Sequence, residues 1–134
     1  MNDRWHGSRV ASVRICGAVA LAVLALHARA ELVEINWERG GRFARQLSVA
    51  PGGFVELCGT LKRGISVEWQ WTSTTPVDFN VHFHEGKDVQ YPTRLEQRQT
   101  AAGLLTITKE QDYCWMWRNA SLEPAAISAR LDSR

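Results

Sequence analysis

After its first thirty residues this 134-residue chain has no long apolar run and no helical periodicity. No later stretch approaches the ~20 apolar residues that a membrane-spanning helix needs. Cysteine is scarce, with three in all, and no Cys-x-x-Cys occurs, so a thioredoxin-type redox motif is excluded. The chain also lacks Gly-x-Ser-x-Gly and His-Glu-x-x-His. Only two histidines, His82 and His84, follow residue 30, and no serine near them is marked as a nucleophile, so catalysis is not expected. Nor is there an excess of positive charge. From Glu31 onward twelve Lys/Arg face thirteen Asp/Glu, a balance of about −1, which leaves no basic stripe for phosphates and argues against nucleic acid.

The amino terminus carries the pattern of a secretory signal. Arg4, Arg9 and Arg14 form a basic region, Ile15–Leu26 is an uncharged, mostly apolar run of twelve, and Ala28-Arg29-Ala30 is a small-x-small cleavage site. Twelve apolar residues are too few to span about 30 Å of hydrocarbon, so the reading is export to a periplasm or to the exterior, not anchoring. The expected organisation is a cleaved signal over residues 1–30 and one domain over residues 31–134, long enough for a single modest core. Cys16 leaves with the signal. Cys58 and Cys114 remain, and in an oxidising compartment two cysteines most simply form one disulfide.

The dominant period in the domain is two. Ile65, Val67, Trp69 and Trp71 alternate with Ser66, Glu68, Gln70 and Thr72; Val77, Phe79, Val81 and Phe83 alternate with Asp78, Asn80, His82 and His84. Shorter strands are expected over 43–49, 54–58, 89–91, 104–108 and 125–131, with 94–100 an edge strand or a long loop. Tyr113–Arg118 is apolar on both faces, as a central strand between two layers would be. Turns are expected at 51–53, 73–76, 85–86, 109–112 and 119–124, and residues 31–42 read as an irregular lead-in. The fold class that follows is all-β, an antiparallel β-sandwich with one disulfide.

Three groups of side chains have the chemistry of a site. His82 and His84 share a strand face with Cα atoms about 6.5–7 Å apart, close enough for both imidazoles to meet one copper or zinc ion. A solvated polar strand face would look the same. Met116, flanked by Trp115 and Trp117, has a soft thioether beside two indoles, a set that suits Cu(I), although methionine in an apolar strand is usually a gap-filler. Trp69, Trp71, Trp115 and Trp117 are many indoles for a small core. Some are expected inside, and the others are candidates for an aromatic contact surface. Asn119-Ala120-Ser121 matches the glycosylation acceptor pattern.

The order of Cys58, Ile65-Ser-Val-Glu-Trp-Gln-Trp71, Val77-Asp-Phe-Asn-Val-His-Phe83, Gly86-Lys-Asp-Val-Gln-Tyr91 and Tyr113-Cys-Trp-Met-Trp-Arg-Asn119 resembles the GOLD (Golgi-dynamics) β-sandwich of p24-type proteins. The resemblance covers roughly 43–131 and implies a jelly-roll-like sandwich whose disulfide joins an early and a late strand, roles that Cys58 and Cys114 would fill. No coiled coil, membrane helix or cytosolic tail follows, so it implies a compact domain for protein or lipid contacts and not a cargo receptor. The expected function is an exported, non-catalytic binding module that presents an aromatic or polar sheet face to a protein, lipid or other apolar ligand. The alternative is a periplasmic copper- or zinc-binding protein built on His82 and His84.

Overall fold

The computed structural model describes residues 29–134, all of whose regular elements are strands. The signal pattern over residues 1–28, with Cys16, lies outside the described residues. The strands are β1 (Ala30–Glu34), β2 (Arg42–Val49), β3 (Phe54–Leu61), β4 (Ser66–Glu85), β5 (Asp88–Thr106), β6 (Gln111–Arg118) and β7 (Ala125–Ser133). They form one seven-stranded sheet in the order β1-β3-β6-β4-β7-β2, with β5 paired to β4. The sheet curls over itself because β4 changes partners along its length. Its first part, Val67–Ser73, pairs with β7, and its later part, Asp78–Phe83, pairs with β6. One layer is therefore β1-β3-β6 with the end of β4, and the other is β2-β7 with its beginning. β5 follows β4 through both.

The period of two read from the sequence is what closes the core. In β2, β3, β4, β6 and β7 the buried apolar positions are odd-numbered, from Phe43, Leu47 and Val49 to Ile127, Ala129 and Leu131, with the disulfide cysteine Cys114 on the opposite face as the exception. An uninterrupted set of inward side chains on two facing layers is the sandwich condition. In β4 this parity persists across residues 73–76, where Ser, Thr and Pro suggest a turn. They are instead part of the strand, and its register against β5 shifts between Thr72 and Val77. A shift of this kind bends and twists a strand, and it is a position where proline is tolerated. The bend carries β4 from one layer to the other.

β5 likewise joins segments that read separately in sequence as strands and a polar stretch. It pairs only with β4, so Pro92 removes no ladder bond that a second neighbour would need. Gly103, a weak residue in a strand, has a specific reason to be there. It faces Trp69 across the ladder, and a Cβ at that position would collide with the indole ring. The sequence expectation of an irregular lead-in is also corrected. Ala30–Glu34 is a strand, parallel to β3, so the sheet is mixed at this edge. Five residues with two glutamates carry too little alternation to be read as a strand. The free edge of β3 pairs them, and Val33 packs against the core.

Asn119 is fully buried where β6 ends. Its Nδ2 donates to the carbonyls of Val49 and Glu123 at 3.0 and 2.7 Å, and its Oδ1 accepts from Ser121 N and Oγ. The acceptor pattern at 119–121 is thus a structural corner, with an amide that has no free face for a glycan.

Candidate functional site

The direct pairing of Cys58 in β3 with Cys114 in β6 brings their sulfurs together, and the disulfide forms within one layer, on its outer face. The same register puts His82 of β4 next to Cys114. Two pairs further along the ladder, Glu56, Met116 and Asn80 form a second row on that face. The result is a shallow groove whose walls include Leu32, Glu34, Glu56, His82, His84 and Asp112.

His82 is the unusual member, since it points away from the core yet is only 6% exposed. It is covered by its neighbours on the face. The His84 ring lies 5.5 Å away centre to centre, and the Tyr91 ring 5.8 Å away. The guanidinium of Arg94 lies over the Tyr91 ring, 3.8 Å from its centre. His82 Nδ1 and Asn80 Oδ1 are 2.8 Å apart. An amide oxygen can only accept, so Nδ1 carries the hydrogen and Nε2 is left with its lone pair when the ring is neutral. That Nε2 stands 3.7 Å from Glu56 Oε1.

Burial pushes the His82 pKa below its ordinary value of 6.5; the Glu56 carboxylate pulls it up in part, and His84 pushes it down. The net shift keeps the folded-state imidazole neutral where the unfolded chain begins to take up a proton. Between pH 6.5 and the lower folded value the unfolded state therefore holds more protons, and stability falls as pH falls. For one group the slope is at most about 1.4 kcal/mol per pH unit. Denaturant unfolding in EDTA from pH 8 to about pH 5 should show this acid loss, and His82→Gln should remove its share. Parallel curves for the two proteins would mean that His82 does not titrate differently on folding.

The histidines of the sequence reading thus come together with Asn80 of the same strand face, and Glu56 and Tyr91 are added by neighbouring strands. The aromatic reading is corrected. Trp69, Trp71, Trp115 and Trp117 are 6%, 2%, 1% and 1% exposed. They do not present a face to a partner, because their odd positions point between the layers, where Trp69 and Trp71 meet Phe79 and Trp117. There the four indoles share the core with Phe43, Phe79, Tyr113 and the aliphatic side chains of both layers. The Met116–tryptophan copper arrangement fails for the same reason. Met116 lies on the outer face beside Glu56 and Asn80, while Trp115 and Trp117 project to the opposite side of the strand. Among the described residues the exposed large aliphatics are Leu32, Leu104 and Leu122, which lie apart in the sequence on different segments.

Glu56 was not legible as a site residue. Its only sequence signal is that it precedes Cys58 by two and so shares the disulfide's face. That becomes informative only once β3, β6 and β4 are known to be neighbours.

No protein-family model matches this chain, and no curated protein matches it in sequence. Solved structures do match it in fold. A periplasmic inhibitor of g-type lysozyme from Aeromonas hydrophila, PliG, superposes with a TM-score of 0.65 at 15% identity, covering 80% of this chain and 99% of the inhibitor. A mutant of the corresponding Escherichia coli inhibitor matches at 0.53 and 10% identity, covering 79% and 100%. The Yersinia pseudotuberculosis-derived mitogen matches at 0.54 and 15% identity, covering 68% and 84%. The likeness is one of fold, an all-β sandwich. The specific GOLD resemblance gains no support from these neighbours, two of which are inhibitor proteins and not enzymes.

Proposed function

We propose that this chain is an exported, non-catalytic protein-binding module of the periplasm whose partner is a lysozyme, of the g type that the PliG proteins inhibit. The observation that carries the reading is the completeness of the fold likeness, since 99% of the Aeromonas hydrophila inhibitor is covered. The fifth of this chain left over is similar in size to the amino-terminal signal read from the sequence. With Trp69, Trp71, Trp115 and Trp117 buried, the module offers polar strand faces and short turns to its partner. A rigid, disulfide-linked sandwich loses little conformational freedom on binding, which favours tight association by a small domain.

The test is the lysis of a bacterial cell-wall suspension by a g-type lysozyme, with and without the oxidised protein, and with a c-type lysozyme as the specificity control. Inhibition of the g-type enzyme by about tenfold or more at modest molar excess is the expected result. Unchanged lysis of both suspensions, together with no heat of binding in calorimetry, would remove lysozyme as the partner.

A further inference from the structure

We propose that the outer-face groove holds a divalent transition-metal ion of the copper(II) or zinc(II) class, bound by His82 Nε2, Glu56 and His84. The argument is geometric and independent of the lysozyme reading. His82 Nε2 and Glu56 Oε1 face each other at 3.7 Å. With Nδ1 carrying the hydrogen toward Asn80 Oδ1, the space between them lies between a lone pair and a carboxylate. A neutral imidazole lone pair and a carboxylate at this distance repel each other unless a proton or a metal cation lies between them. Ligand atoms each about 2.0–2.1 Å from a common ion span a distance of this size.

The support around His82 is that of a ligand and not of a solvated side chain. A metal-binding imidazole is normally fixed by a hydrogen bond from its second nitrogen to an oxygen, which sets the tautomer and the ring plane. Asn80 supplies that oxygen from the same strand, two residues away. His84 is exposed, with its ring centre 5.5 Å from that of His82, and would complete the set by turning a nitrogen toward the same point. The donors would be two imidazole nitrogens and one carboxylate, with the groove's open side left for water. Nitrogen donors favour copper and zinc over calcium and magnesium, which take oxygen ligands. The sulfurs of Cys58 and Cys114 also lie beside the Glu56 carboxylate. They are bonded to each other, so no thiolate is available in the oxidised protein.

The oxidised protein, stripped with EDTA, is titrated separately with Zn(II) and Cu(II) in a calorimeter, with Ca(II) as the control. One ion per chain at micromolar affinity or tighter is expected for the transition metals, and none for calcium. Because His82 is buried, the deciding variants are on the open side. His84→Ala and Glu56→Gln should each weaken binding about tenfold or more, and Asn80→Ala, which removes only the positioning bond, about tenfold. The Cu(II) spectrum should show nitrogen ligation that decreases by one donor in His84→Ala. No binding by the oxidised protein overturns the assignment, and so do variants that bind as tightly as the parent. Binding that appears only after reduction with a dithiol would place the ion on Cys58 and Cys114 thiolates, and overturns it as well.

Discussion

Replacing Cys58 and Cys114 together with alanine is expected to lower the unfolding free energy by about 4 kcal/mol. The cross-link spans 56 residues of sequence, and closing a loop of that length removes this much entropy from the unfolded chain. For a domain of about one hundred residues the loss corresponds to a fall in Tm of roughly 15–30 °C. The folded state should change little. The two cysteines are direct partners in the β3–β6 ladder, and that ladder continues on both sides of them, from Phe54–Arg118 to Leu61–Gln111. The destabilisation therefore acts mainly through the unfolded state, and the variant's circular dichroism at low temperature should match the parent's. Denaturant curves for the parent, the parent with reductant and the double variant make the comparison. A loss under about 1 kcal/mol would show that the unfolded chain is already compact near these positions.

Trp117→Ala is expected to cost about 3–5 kcal/mol, the range for removing a large aromatic side chain from a core. Trp117 is 1% exposed and projects from β6 to meet Phe79 at 5.3 Å and Trp71, edge-on, at 6.2 Å. Trp71 lies in the part of β4 that pairs with β7, so the contact joins the two layers of the curled sheet. Small domains have only about 5–15 kcal/mol of stability, and the truncation would leave a large part of the protein unfolded. Trp117→Phe separates two contributions. The Trp117 indole N–H has no hydrogen-bond partner among the described residues. Phenylalanine removes that unpartnered donor while keeping most of the ring's contacts, so its cost should stay below about 1.5 kcal/mol. Equal losses for the two variants would mean that the indole nitrogen, not ring packing, holds the layers together.

Much of this fold was legible because one signal was strong and local. The odd-numbered apolar residues over 65–72 and 77–84 predict strands whatever lies beside them, and the apolar runs of β2, β3, β6 and β7 do the same. The pairing of Cys58 with Cys114 was equally legible, since a chain read as exported, with two cysteines left after the signal pattern, has one simple choice. The segment 73–76 was not legible. Ser, Thr and Pro have the same composition in a turn and in a strand irregularity, and only pairing to β7 on one side and β6 on the other shows that β4 runs through. The lead-in Ala30–Glu34 was missed because an edge strand takes its order from its neighbour, β3, and not from its own pattern.

The candidate site divides in the same way. His82 and His84 share a face by the geometry of a single strand, and the sequence alone determined that they would be close. It likewise determined which side is apolar over 65–72 and 77–84, and from the many short strands the class of fold. Only the tertiary structure decided that the indoles of Trp69, Trp71, Trp115 and Trp117 fill the space between layers and are not displayed on a surface. It also decided that Glu56 meets His82, because β3 and β4 are brought together only by β6 lying between them. Alternation within a strand is set by local backbone geometry, but neighbours across a sheet are set by the path of the whole chain.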